Sequence, residues 1–358
     1  MSRAQKPIPK RPPGSIPFRE GRPGRLSAEA SSRITRRITA FSVGVGIILI
    51  SLKFIVFRET GSVGILSSLV HSSLDLFAAL SSFFAVRYAA RAPDAGYRFG
   101  RGKAEGFSAV LQVCLISLAA VHLLEEAAKH VENPHMIEQG GYAIAVMVFA
   151  ILLTTWLLIA QTWAIKATGS LAIRGDRAHY IADMSANIAV IVGVALTSYS
   201  PLLRADALVG VGIALWLFYT AYRIARLAWS QLMDQELPER ERELIRELAL
   251  RDDSINGVHD LRTRASGPHV HIQMQLDLDD DLSLMEAHKI VVAAETRMME
   301  AYPAADILIH PHPSGCHKMH GNAIFRQDYE HQDYEHEDCT HDETEPNTNK
   351  SPENGHSH

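Results

Sequence analysis

A chain of 358 residues that is 47% hydrophobic and 21% charged, with a formal net charge of −5, has no basic excess with which to hold nucleic acid. Its three cysteines, Cys114, Cys316 and Cys339, are too scattered for a disulfide framework and suit a reducing compartment. Mean hydropathy is near zero only because polar ends offset a strongly apolar middle.

Residues 1–33 are rich in Pro and Arg and lack both an apolar h-region and a small-residue cleavage site, so they read as a disordered basic arm, not a signal peptide. Apolar stretches then recur at 38–57, 62–86, 104–124, 142–165, 178–198 and 207–224, each close to the roughly 20 residues that cross a bilayer. They predict an α-helical membrane protein with six transmembrane helices in residues 34–230. Basic residues gather after the second span (Arg87, Arg91, Arg98, Arg101, Lys103) and after the fourth (Lys166, Arg174, Arg177), while Glu125, Glu126, Glu132 and Glu138 follow the third. By the positive-inside rule both termini are expected in the cytosol.

The pattern changes in residues 231–313. An amphipathic helix at 237–251, alternating strands at 258–263 and 269–278, a helix at 284–302 and a strand at 306–310 give the order α-β-β-α-β. This predicts a small cytosolic α+β domain with its helices on one face of the sheet. Residues 314–358 are polar and acidic, and "QDYEH" occurs twice, at 327–331 and 332–336. Too little apolar area is available there to offset chain entropy, so a disordered tail is expected. Its His317, His320, His331, His336, His341, His356 and His358, beside Cys316 and Cys339, are suited either to loose metal capture or to keeping the chain soluble.

Two polar pairs interrupt the apolar spans. His71 and Asp75 stand four apart in "SLVHSSLDLF", and His179 and Asp183 repeat the spacing in "HYIADMSANIAV", where Asn187 extends the face by a turn. At that spacing both members of a pair leave one helix face. Each ionised group costs about 2.5 to 3.5 kcal/mol to bury in a bilayer. A single such pair is ordinary interhelical glue. Two identical pairs can supply two imidazoles and two carboxylates to one divalent ion, a donor set that suits tetrahedral zinc. Counted from the cytosolic ends the pairs differ in depth by about 10 Å at 1.5 Å per residue. Tilt or a water-filled vestibule lined by Arg174, Asp176 and Arg177 is expected to absorb the difference. Because ligands must lose protons to bind metal, outward metal movement coupled to inward protons follows. A hydrolase would need an open coordination position, which four protein ligands do not leave, so no enzyme is expected.

The segments "GSVGILSSLVHSSLD", "RFGRGKAE", "HYIADMSAN", "LMDQELPE" and "GVHDLRTRASGP" resemble the cation diffusion facilitator family, in its bacterial zinc and iron efflux branch, over residues 33–313. The resemblance implies a homodimeric metal/proton antiporter in the lipid of a bacterial inner membrane, with a ferredoxin-like, metallochaperone-like cytosolic domain. It places His71, Asp75, His179 and Asp183 on the transport site, in a set like that of members preferring zinc over cadmium. It also implies a second set of zinc ligands between cytosolic domains: His259, His288 and His310 match, Gln275 replaces a histidine, and His312 stands where an aspartate is usual. His269 and His271, alternating on one strand with Gln275, are candidates to compensate. In the loop after the second span Asp94 is kept, but Tyr97 and Arg101 hold histidine positions, so a loop site is not expected. Lys103 and Asp234 resemble the family's charge interlock, which joins membrane and cytosolic parts between protomers. A non-transporting metal sensor or scaffold, or a carrier of iron, manganese or cobalt, is the alternative to a zinc exporter.

Overall fold

The computed structural model describes residues 23–60, 63–132, 141–199 and 205–314. The tail histidines with Cys316 and Cys339, and the side chain of Asn187, lie outside the described residues. Six long helices come first: α1 (Ala28–Thr60), α2 (Val63–Ala89), α3 (Ala104–Glu132), α4 (Gly141–Thr168), α5 (Leu171–Tyr199) and α6 (Ala205–Leu232). Among the described residues α1 to α4 each contain a segment long and apolar enough to cross a membrane. The surface is correspondingly inverted. Phe84, Trp156, Trp163 and Trp229 are at least 60% exposed, while Ala78, Ala79, Ala109, Ala120 and Ala214 are sealed inside. Small residues at the contacts let helices pack closely, and large apolar ones face the lipid.

The helix α1 begins at Ala28, ahead of the position 34 that composition suggests. Its added first turns begin a stripe of buried hydroxyls that runs from Ser31 through Thr35 and Thr39 to Ser42. Thr35 and Thr39 donate back to Ser32 and Thr35 carbonyls at 3.1 and 2.9 Å, so these polar atoms are satisfied within the helix.

The start of α5 is set from another helix. Gly169, at φ 70°, turns the chain, and the Glu105 carboxylate of α3 accepts from Ser170 Oγ (2.6 Å) and the Leu171 amide (3.1 Å). An acid at a helix N-terminus satisfies orphan N–H groups and complements the dipole. Thr168 and Ser170 are each 4% exposed, so this turn is sunk inside the protein.

The C-terminal domain comprises α7 (Glu239–Ala249), β1 (Gly257–Ser266), β2 (His269–Leu278), α8 (Leu284–Ala301) and β3 (Ala305–Pro313). The strands lie in the order β1-β2-β3, with β1 antiparallel and β3 parallel to β2, the latter reached by the α8 crossover. Alternation along β2 sends Val270, Ile272, Met274, Leu276 and Leu278 into a core shared with Leu244, Ile245 and Leu248 of α7 and Ala294 and Met298 of α8. His269, His271, Gln273, Gln275 and Asp277 therefore take the face away from the helices.

Several contacts join the two parts, three of them polar or backbone contacts. Lys103 Nζ and Arg264 Nη1 donate to Asp234 Oδ2 at 2.9 and 3.1 Å, within one chain. Asp234 itself sits at φ 53°, ending α6. Gly102 lies so close to β1 that a Cβ there would stand 2.0 Å from the Ser266 carbonyl oxygen. The third contact is the segment that composition assigns to a disordered arm: Gly24 bonds Pro268 and Ala304 backbones, and Arg25 pairs with Glu241 at 2.9 Å. The Arg25 guanidinium lies 4.3 Å over the Tyr302 ring, whose hydroxyl donates to Glu241 at 2.7 Å.

Candidate functional site

The two polar pairs meet crosswise. His71 Nε2 of α2 lies 3.2 Å from Asp183 Oδ1 of α5, and His179 Nε2 of α5 lies 3.1 Å from Asp75 Oδ1 of α2. Along each helix the separations are 3.8 Å for His71 to Asp75 and 3.6 Å for His179 to Asp183. This is the pattern of antiparallel helices: the residue nearer one end of α2 faces the residue farther from that end on α5. The two helices are used unequally: α5 begins eight residues before His179, while α2 runs on past Asp75 to Ala89. Asp176 is 1% exposed and receives a 2.8 Å hydrogen bond from Gln161, and Arg177 donates to Thr162. Both brace α5 against α4, and Asp176, being sealed, does not line an open vestibule.

One donor atom from each of His71, Asp75 and Asp183 falls within 4.8 Å of the others, and His179 closes the fourth side. The His179 side chain is 3% exposed and those of Asp75 and Asp183 are 10 and 11%, whereas that of His71 is 47% exposed. The cage is closed behind His179 and open beside His71. Buried Asp183 Oδ2 has no hydrogen-bond partner among the described residues. An orphan acceptor of this kind is costly unless a cation or proton occupies it.

In the C-terminal domain His259, Gln275 and His310 form one row across the three strands. Asp277, next along β2, pairs with His312 in register and approaches His259 Nε2 at 2.5 Å. Gly257 makes the room, since a Cβ there would stand 2.5 Å from the Asp277 carboxylate. Asp277 was not among the expected ligands, although its spacing of two from Gln275 puts it on the same strand face. His269 and His271 lie toward the other end of β2, where His271 Nδ1 bonds Asp306 at 3.0 Å, so they do not join the row. Burial, and then the neighbouring His271, push the His269 imidazole below its ordinary value. His288 is exposed on α8, on the helical side of the sheet. In the loop after α2, Arg101 pairs with Asp94 at 2.5 Å, and this hydrogen bond holds the Asp94 carboxyl below its ordinary value.

Ionisable groups gathered inside a transmembrane bundle mark an ion pathway, and the fold is that of a membrane transporter. Residues 39–233 match the cation efflux transmembrane domain, and residues 237–314 match the cytoplasmic domain of cation efflux proteins. The chain is 36% identical over 282 residues to the cation-efflux pump FieF of Serratia proteamaculans (strain 568), covering 79% of this chain and 94% of that one. Against FieF of Yersinia enterocolitica the identity is 37% over 283 residues, again with 79 and 94% coverage. The chain belongs to the cation diffusion facilitator family and is an integral membrane cation efflux transporter. A solved structure of CzrB, described there as a candidate zinc transporter, is 32% identical over 22% of this chain and 96% of its own, at a TM-score of 0.21. Its zinc form covers 24 and 99% at 0.22.

Proposed function

We propose that the protein exports zinc from the cytosol in exchange for protons, with His71, Asp75, His179 and Asp183 as ligands of the transported ion. The crosswise cage carries this reading. Two carboxylates offset the double charge of one cation, so the occupied cage is formally neutral while the empty one is favoured to take up protons. Two imidazoles and two carboxylates match zinc's preference for four N/O ligands. Imidazole also serves iron and cobalt, so ligand type ranks the cargo without excluding them. Retention of all four donors argues for carriage over mere sensing.

The C-terminal domain is proposed to pair with a second copy in the cytosol and to hold further zinc. Its donors would be His259, Asp277, His310 and His312 on the open sheet face, with Gln275 a neutral neighbour. His288, on the helical side, would join such a set from the other protomer.

The test is flux in vesicles holding purified protein and a metal-sensitive dye, with and without a pH gradient, comparing zinc, cadmium, iron and manganese. Zinc should move fastest, and faster still when the proton gradient runs in the opposite direction and so drives it. The Asp183→Ala protein should stay folded and carry nothing. Normal flux through it would remove the cage from the mechanism.

A further inference from the structure

Lys53 lies in the apolar run "IILISLKFIVF" of α1, within the membrane-crossing part of that helix. A lysine there would ordinarily extend its ammonium toward the nearer interface. Here Nζ instead turns into α2, where it donates to Ser72 Oγ at 2.6 Å and to the Ser68 carbonyl at 3.4 Å. Ser72 is 1% exposed and follows His71 directly. Ser68, Ser72 and Asp75 share one face of α2, so an ammonium held at Ser72 stands about one turn from Asp75. No pattern in the spacing of α1 announces this role, because the partner atoms belong to the next helix.

We propose that Lys53 is a positioning residue: a tethered positive charge that weakens the cage's grip on its divalent cargo and thereby sets the rate of release. The inference rests on the reading of the four cage residues as cargo ligands. Two carboxylates and one ammonium leave the empty site at a formal charge of −1. A divalent ion brings it to +1, so the bound ion is opposed by a like charge that cannot diffuse away. A neutral cage without Lys53 would bind more tightly and let go more slowly. Tighter ground-state binding that is not matched in the rate-limiting step lowers KM and kcat together.

The experiment compares parent, Lys53→Gln, Lys53→Arg, Ser72→Ala and Asp183→Ala proteins by zinc flux in vesicles and by equilibrium zinc binding, subtracting the isotherm of Asp183→Ala to isolate the cage. Lys53→Gln should lower both KM and the cage Kd by roughly tenfold, with kcat falling in step, and Lys53→Arg should restore both toward parent values. Ser72→Ala, which cuts the tether but keeps the charge, should shift them the same way by a smaller factor, and it serves as the test if Lys53→Gln fails to fold. A purely structural lysine would lower kcat with KM unchanged or raised, and that result overturns the proposal. If Asp183→Ala still binds at the cage with parental affinity, the cargo site itself is misassigned and both readings fall.

Discussion

His71 on α2 and Asp183 on α5 are 112 positions apart in the chain and 3.2 Å apart in the fold, with the imidazole Nε2 facing the carboxylate. Each carboxylate thus faces an imidazole from the opposite helix, and neither helix alone completes a site. A proton shared between such partners must leave when metal binds. Affinity should therefore fall as pH drops, by up to about tenfold per pH unit for each proton displaced. Titration calorimetry in two buffers of different ionisation heat counts those protons. Affinity that stays flat between pH 5 and 8 would contradict proton exchange at the cage.

If the four residues hold the cargo as proposed, the open side of the cage is where metal selectivity is set. His71 has the most exposed side chain of the four, so replacing it perturbs packing least. His71→Asp exchanges a nitrogen donor for oxygen and adds a negative charge, which suits cadmium, manganese or iron better than zinc relative to the parent. The ratio of cadmium to zinc flux should rise several-fold, measured with the same dye-loaded vesicles. An unchanged ratio would place discrimination elsewhere.

Much of this was legible in the sequence because the signals are periodic. The four-residue spacing of His71 with Asp75 and of His179 with Asp183 states the two faces, and the alternation in "HVHIQMQLDL" states the two sides of β2. Features that depend on a distant partner were not legible. The start of α5 is fixed by Glu105 on α3, and Arg25 is ordered only because Glu241 and Tyr302 receive it. Composition marks residues 1–33 as unstructured, and at Gly24 and Arg25 contacts with the folded C-terminal domain override that. Asp277 was not legible because an acid alternating with histidines on a strand reads as an ordinary solvated surface group until the fold sets it against His259.

The Lys103 to Asp234 contact carries a pH signature. Burial by itself would raise the Asp234 carboxyl, but the Lys103 hydrogen bond and charge, with Arg264, outweigh it and hold the group below its ordinary 3.8. A carboxyl lowered on folding stabilises fully above its unfolded value and loses that contribution as pH falls through the folded one. Because the pair is about one-third exposed, the contribution is discounted to about 0.5 to 1 kcal/mol. Asp234→Asn keeps a side chain that tolerates φ 53° and removes the charge. Its melting temperature in detergent should lie below the parent's near pH 7, and the gap should close below about pH 4. A constant gap would show that the charge pair is not the cause.

Gly102 tests the joint from its other side. A Cβ placed there would meet the Ser266 backbone carbonyl oxygen at 2.0 Å, and neither backbone can yield without moving the loop after α2 away from β1. Gly102→Ala should therefore loosen the two parts while leaving each one folded. Zinc flux is expected to fall several-fold, with zinc binding by the C-terminal domain retained. Protease cleavage near Leu237 should quicken, since its amide is held by Thr263 of β1.

The clamp of Arg25 on Glu241 is nearly dry, with side-chain exposures of 8 and 3%. Glu241 also accepts from the Tyr302 hydroxyl, so it gathers three elements: the chain entering α1, the helix α7 and the end of α8. Removing one member of a buried pair strands the other, which costs about 3 to 5 kcal/mol, more than removing both. Glu241→Ala should therefore destabilise the C-terminal domain more than Arg25→Met, because Arg25 is left buried over Tyr302 and its way out to solvent is restrained by the Gly24 backbone bonds. The double variant should recover part of the loss. Denaturant unfolding of the four proteins gives the coupling as a double-mutant cycle. If the losses simply add, the segment entering α1 merely rests on the domain; a coupling of 1 kcal/mol or more would make it a strut through which the C-terminal domain bears on α1, the helix that carries Lys53 beside the cage.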